Sequence, residues 1–391
     1  MNTPTAPASL ATPATPATPA TLATIGMPLA QVDTPALILD LDVFEHNLAL
    51  MNEAVRGDGA RPGPRLRPHA KSHKSADIAK AQIAGGAAGV CCQKVSEAEA
   101  LVLGGVNDIL ICNEVVGAVK IARLVALAKR ARIAVCADSA ANVAALNAAA
   151  LGAGVRLEVL LELDVGAARC GVTPGAPALA LAKAVAAAPG LRFAGMHAYH
   201  GSAQHLRSIA ARHAAIAEAT EKARATRELI LAAGIACDTV TGAGTGSFLF
   251  ERDGGVYTEL QPGSYIFMDA DYQLNDWEGF PAFGQSLHIL TTVMSTPAPD
   301  RVVVDAGLKA SSIDSGMPRV AGRPGLEYRK ASDEHGVISV APGTVAPALG
   351  EKLLLVPGHC DPTVNMHDWF VCVRQGVVKA LWPVTARGMM W

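Results

Sequence analysis

Short runs that are apolar throughout alternate along most of this chain with longer, Ala-rich stretches whose apolar positions follow the i, i+3, i+4 spacing of helices. The runs at Arg65 to Lys71, Gly89 to Val95, Ile109 to Val115, Ile133 to Asp138, Leu157 to Val165, Phe193 to Gly201, Asp238 to Thr245 and Thr258 to Tyr265 read as strands. Helical spacing occupies Ser75 to Ala84, Ser96 to Leu103, Ala118 to Arg130, Ser139 to Leu151, Pro177 to Ala188 and Arg207 to Ala233. Strands without polar alternation are buried on both faces, as in a parallel sheet covered by helices. Eight such units predict a closed (β/α)8 barrel with its site at the C-terminal ends of the strands. An open doubly wound sheet would need a glycine-rich dinucleotide turn after its first strand, and that turn is absent from the sequence.

Before the barrel, Thr34 to Leu41 reads as a strand and Val43 to Val55 as an amphipathic helix with Asp42 as N-cap. Beyond Phe283 the pattern changes to short strands broken by Gly and Pro, an all-β unit. The expected organisation is a disordered tail over 1–28, a strand over 29–42 that joins the β unit, a barrel over 43–282 and the β domain over 283–391. The tail, with TPATPATPATLAT at its heart, has neither the basic start of a signal peptide nor the unbroken apolar length of a membrane span.

Composition narrows the choice of ligand. With 391 residues, half of them hydrophobic, the chain can bury a large core. Its 33 basic and 35 acidic residues nearly cancel, which removes the electrostatic reason to expect a nucleic acid or a membrane surface as partner. A small molecule is the expected ligand. The eight cysteines lie mostly in strand-like runs, without the spacing of a disulfide framework or a zinc knuckle, so they are read as reduced and the protein as cytoplasmic.

The chemistry concentrates in a few stretches. Arg67-Pro68-His69-Ala70-Lys71-Ser72-His73-Lys74 crowds cations onto a strand-to-helix junction. A lysine there, partly withdrawn from water among other cations, is expected to have a lowered pKa and a larger neutral fraction able to attack a carbonyl, as in a Schiff base. The alternative is a solvated lysine at a strand end. Gly242-Ala243-Gly244-Thr245-Gly246-Ser247 reads either as a structural turn or as a nest of backbone N–H groups for a phosphate, and it falls after the seventh strand, where such barrels often hold one. In Pro357-Gly358-His359-Cys360-Asp361-Pro362-Thr363, alternate residues of an extended chain would turn His359 and Asp361 to one ion and Cys360 away. An imidazole with a carboxylate suits manganese or magnesium; the other reading is a turn with an Asx cap. His367, further along, is either an additional ligand or a neighbour of this pair. Asp333-Glu334-His335 is either a surface turn or a lip over the barrel mouth.

Taken together, RPHAKSHK, GVCCQKVSEAEA, NEVVG, AARCGV, AYHGSAQH, GAGTGS, GSYIFMDADY, VDAGLK, SDEHGV, PGHCDPT and TARG resemble the pyridoxal-phosphate-dependent D-threonine and 3-hydroxy-D-aspartate aldolases, relatives of D-serine dehydratase and alanine racemase. The resemblance runs from about Val32 to Gly388. It implies a barrel that binds pyridoxal 5'-phosphate, a C-terminal β domain, a divalent metal and a homodimer. Residue by residue it implies Lys71 as the Schiff-base lysine, Arg169 toward the cofactor's phenolic oxygen and Tyr199 near its ring. Gly244, Thr245 and Gly246, with Ser264 and Tyr265, are expected at the phosphate, His359 and Asp361 at the metal, and His205 as general base. The related dehydratases place a cysteine two residues after the metal histidine, where this chain has Asp361, and this favours the aldolase branch.

The implied reaction is retro-aldol cleavage of a 3-hydroxy-D-amino acid to glycine and an aldehyde, acetaldehyde from D-threonine or glyoxylate from 3-hydroxy-D-aspartate. Dehydration to a keto acid and ammonia is the competing enzyme reading, and a non-catalytic pyridoxal-phosphate carrier the competing one from another class.

Overall fold

The computed structural model describes residues 22–57 and 62–391. Strand β1 (Ala36–Asp40) leads straight into α1 (Leu41–Val55). The Asp40 carboxylate accepts the N–H groups of Asp42 and Val43 at 3.0 and 3.2 Å, so the cap lies two residues before the expected Asp42.

Eight parallel strands then form the barrel: β2 (Arg65–Leu66), β3 (Val90–Cys92), β4 (Asp108–Glu114), β5 (Arg132–Ala137), β6 (Leu157–Glu162), β7 (Leu191–His197), β8 (Thr239–Gly242) and β9 (Glu259–Leu260). The helices between them are α2 (Ala76–Ala84), α3 (Val95–Leu103), α4 (Ala118–Leu127), α5 (Ala140–Ala153), α6 (Ala176–Ala187), α7 (Ile209–Ala232) and α8 (Phe248–Asp253). The sheet runs β2-β9-β8-β7-β6-β5-β4-β3, and its ends meet where Cys91 N–H donates to the Pro68 carbonyl at 2.9 Å.

The predicted strands at 65–71 and 258–265 shrink to two residues each. Pro68 and Pro262 lack the N–H that a ladder needs. Beyond each proline the chain winds into a 3-10 turn, Ala70–Ser72 in one case and Ser264–Ile266 in the other.

Successive strand residues serve opposite faces. Val90, Ile109, Ile111, Val135 and Val159 pack under the helices, whereas Cys91, Leu110, Cys112, Cys136 and Leu160 fill the barrel interior. Small, apolar thiols suit that narrow space, and all eight cysteines are free. The N-terminal end of the barrel is plugged by ion pairs from Arg67 to Glu259 and Asp108, and from Arg132 to Asp108 and Glu158, at 2.6 to 3.0 Å.

The second sheet comprises β10 (Leu287–Ala298), β11 (Arg301–Val304), β12 (Arg319–Val320), β13 (Leu326–Ala331), β14 (Gly336–Val340), β15 (Lys352–Val356), β16 (Trp369–Arg374) and β17 (Val377–Pro383), with β1 among them. β1 lies antiparallel to β10 and parallel to β16. A short helix, α9 (Cys360–Val364), comes after β15.

Residues 22–28, expected to be tail, are packed on this sheet. Ala23 is buried, and Gly26 N–H donates to the Val378 carbonyl at 2.9 Å. The rest of the expected tail, 1–21, lies outside the described residues. Among the described residues no helix is long and apolar enough to cross a membrane.

Candidate active site

One cavity opens at the C-terminal ends of the barrel strands, facing the second sheet. Lys71, Arg169, Tyr199, His205, Gly244, Thr245, Ser264, His359 and Asp361 all line it. Lys71 sits on the 3-10 turn after β2, with His69 as its cap: the Lys71 N–H donates to His69 Nδ1 at 3.3 Å. The neighbouring Lys74 is tied instead to Glu97 at 2.6 Å, so Lys71 is the lysine that the motif presents to the cavity.

The electrostatics of Lys71 depart from the expectation. Burial works against its ammonium form, but Asp361, 3.9 Å away, together with Tyr199 and Cys91 outweighs burial and raises the pKa above that of an ordinary lysine. The surrounding cations bear on His69 instead: burial, then the Lys71 charge, holds its pKa well below the usual value. His73, fully buried, is pushed down by burial to about 3.

Arg169 approaches from the loop after β6, its guanidinium carbon 6.0 Å from the centre of the Tyr199 ring. This distance is within reach of cation–π attraction. His205 ends a 3-10 turn (Gly201–His205) that lies beyond β7, and its Nδ1 is 2.6 Å from Asp271 Oδ2. A carboxylate only accepts, so in the neutral ring Nδ1 carries the proton and Nε2 the lone pair.

The glycine-rich turn is divided. Gly244 and Thr245 line the cavity, and among the described residues no hydrogen bond uses their N–H groups. Gly246 does not line it, because its N–H donates to Gln204 Oε1 at 3.0 Å. Tyr265 also stays behind the wall. Its N–H donates to Thr245 Oγ1 at 3.1 Å, and its hydroxyl receives a bond from Gln82 at 3.3 Å. Both residues brace the turn. Gln204 is braced in its own right: its Nε2 donates to Ser247 Oγ, whose hydroxyl donates to Glu251 Oε1, at 2.8 and 2.9 Å.

His359 and Asp361 reach the cavity by a different route from the one expected. The chain is helical from Cys360, so His359 is the last extended residue and Asp361 lies in the first turn of α9. Cys360 is buried, and its N–H donates to Asp269 Oδ2 at 2.9 Å. Burial works against charging of His359, but Asp361 and Asp314 outweigh it and raise the pKa. The donors offered to an ion are therefore imidazole nitrogen and carboxylate oxygen without thiolate, a set that fits manganese or magnesium. His367 is turned away, bonded through Nε2 to the Ala310 carbonyl at 2.8 Å. Asp333, Glu334 and His335 form the surface turn between β13 and β14, with Glu334 paired to Lys309 at 2.5 Å.

Sequence reasoning missed two polar residues of the layer beneath these groups, His197 and Gln261. His197 and Gln261 line the cavity floor with His69 and Gln93. His197 Nδ1 is hydrogen-bonded to Glu162, and its Nε2 lies 3.0 Å from Gln261 Oε1. Burial opposes charging of His197, but Glu162 and Cys112 together override it and push the pKa well above the usual value. The available signal was a polar residue at the end of an apolar strand, in GMHAY and TELQP.

Residues 39–271 match the alanine racemase N-terminal domain and residues 286–373 the putative serine dehydratase domain. The chain thus belongs to the alanine racemase N-terminal domain family, whose barrel here carries a serine dehydratase-like β domain. Within that class it is 53% identical to a D-threonine aldolase of Arthrobacter sp over 93% of this chain and 95% of the relative. It is 48% identical to a 3-hydroxy-D-aspartate aldolase of Paracoccus denitrificans (strain Pd 1222), over 93% and 94%. The crystal structure of D-threonine aldolase from Filomicrobium marinum superposes with a TM-score of 0.91 at 50% identity, covering 95% of this chain and 99% of that one.

Proposed function

We propose that this protein is a pyridoxal-phosphate- and divalent-metal-dependent aldolase that cleaves 3-hydroxy-D-amino acids to glycine and an aldehyde. The observation that carries the reading is the meeting of Lys71, from the barrel, with His359 and Asp361, from the β unit, in one cavity. A non-catalytic carrier of the cofactor has no use for an imidazole–carboxylate pair beside the lysine.

The residues present fit both groups. Lys71 is the amine for the cofactor's aldehyde, Arg169 and Tyr199 flank it, and the free N–H groups of Gly244 and Thr245, with Ser264, offer donors to a phosphate. His359 and Asp361 would hold the ion. When bound, the cofactor supplies an electron sink for the charge left on Cα, and the metal a Lewis acid for the β-hydroxyl.

His205 takes the hydroxyl proton on Nε2, while Asp271 holds its other nitrogen protonated. As the O–H proton leaves, the new carbonyl forms, the Cα–Cβ bond breaks and the aldehyde departs. Protonation of Cα then gives glycine. Among the described residues that line the cavity, the lysine and arginine side chains are Lys71 and Arg169, and the reading commits both, while His197 is already paired with Glu162. A second substrate carboxylate would find no uncommitted lysine or arginine there, which puts D-threonine ahead of 3-hydroxy-D-aspartate as substrate.

The test is to incubate the cofactor-loaded protein with each substrate, with and without manganese, and to assay glycine, aldehyde and keto acid together. Metal-dependent glycine with faster turnover of D-threonine is expected. Keto acid and ammonia without glycine would make the protein a dehydratase.

A further inference from the structure

We propose that Asp314 is a positioning residue that fixes His359 as an Nε2 ligand of the divalent ion. This inference rests on the reading of His359 as a metal ligand. Asp314 Oδ2 lies 2.8 Å from His359 Nδ1. An ionised carboxylate only accepts, so Nδ1 donates and Nε2 is left with the lone pair that a metal requires.

A half-exposed carboxylate beside a histidine is often a surface pair of little consequence. Two features set this pair apart. The other oxygen, Asp314 Oδ1, accepts the Ser312 hydroxyl at 2.6 Å, and Ser315 Oγ lies 3.3 Å from Oδ2, so the carboxylate is held before it meets the imidazole. The loop that carries it is also fastened to the segment that carries His359. Ser312 N–H donates to Thr363 Oγ1 at 3.1 Å, and the Thr363 hydroxyl donates to the His359 carbonyl at 2.8 Å.

Gly358 allows this close approach, because a Cβ there would lie 2.0 Å from the Gly316 carbonyl oxygen. The loop 312–316 is thus built onto the turn before α9, with its one carboxylate aimed at the ligand's far nitrogen. Removing a partner of this kind weakens metal binding by roughly 10–100-fold in metalloproteins.

The experiment is a manganese titration of the cofactor-loaded protein without substrate, monitored by calorimetry or by the paramagnetic resonance of the free ion. Asp314→Ala is expected to raise the Kd roughly 10–100-fold, with the cofactor absorbance and melting temperature unchanged. Asp314→Asn is expected to fall between Ala and the native protein, since an amide oxygen still accepts the Nδ1 proton but without the charge. Saturating manganese should bring the kcat of both variants back near the native value, which a misfolded site would not allow.

A Kd for Asp314→Ala within twofold of native overturns the proposal, and if that variant fails to load cofactor, the same result for Asp314→Asn does so. His359→Ala separates this from the parent reading. If it binds manganese as the native protein does, His359 is not a ligand and both readings fall. If it loses manganese while Asp314→Ala keeps it, only the positioning role falls.

Discussion

His205 Nδ1 and Asp271 Oδ2 are 2.6 Å apart, and the second oxygen of that buried carboxylate is held by Arg207 at 2.5 Å. The imidazole is thereby clamped through one nitrogen while the other faces the cavity. Replacing His205 by Ala should lower kcat for glycine formation by roughly 10²–10⁴-fold, the usual worth of a positioned base, and leave cofactor absorbance intact. Asp271→Asn should lower it less, since an amide still hydrogen-bonds the ring. Near-native turnover of His205→Ala would remove this residue from the mechanism.

Lys71 and Lys74 lie three positions apart and have opposite surroundings, one presented to the cavity and the other buried against Glu97. Lys71→Ala should therefore abolish both turnover and the visible band of the lysine-bound cofactor. Lys74→Met should retain the band and lose stability, because Glu97 would be left buried without its cation. Absorbance spectra and thermal melts of the two variants separate the roles.

Asp361 serves the proposed ion and also balances Lys71 across 3.9 Å. Chelation should stop glycine formation and manganese should restore it, whereas Asp361→Ala should stay inactive at any metal concentration. Recovery of Asp361→Ala in excess manganese would show that the carboxylate is dispensable to the site.

Glu251 should make stability fall with rising pH. Buried beneath the glycine-rich turn, its pKa is pushed by burial from the ordinary 4.5 to about 8. The folded chain thus binds a proton between these values that the unfolded chain has released. Stability is complete below pH 4.5 and declines as pH rises through 8, by roughly 3–5 kcal/mol for this group alone. Glu251→Gln keeps the Ser247 bond without the ionisation. Its melting temperature should match the native one near pH 4.5, exceed it by a margin that widens up to about pH 8 and hold that margin above; parallel curves from pH 4.5 to 8 would contradict the assignment.

Much of this architecture was legible in the order of residues, for an identifiable reason. Runs such as GVCCQKV and LEVLLELDV are apolar on both faces over most of their length, which demands a sheet covered on both sides, here by helices on one side and by the barrel's own interior on the other. The expectation failed where proline or a helix start intervened. Pro68 and Pro262 cut two strands short, and Cys360 begins a helix where extended backbone was expected.

Most of the residues singled out in the sequence share one cavity, Gly246 and Tyr265 excepted, but the depth of that cavity was not legible. A glycine-rich stretch announces a turn without saying which amide faces the ligand, and Gln204, distant in sequence, took the N–H of Gly246. His197 and Gln261 escaped notice for a related reason. Their importance comes from sharing the cavity floor, and sharing depends on the pairing of β7, β8 and β9.

β1 joins the second sheet between β10 and β16, although it precedes every barrel strand in the chain. On a ribosome it emerges ahead of the barrel and finds its neighbours only after the barrel has been made. The segment that bears His359 and Asp361 leads into β16, so the wall of the cavity that carries this pair is completed only when strands from before and after the barrel meet. A chain cut short after the barrel would display Lys71 without His359 and Asp361 opposite it, and the nascent protein completes its cavity only once the β unit has been synthesised.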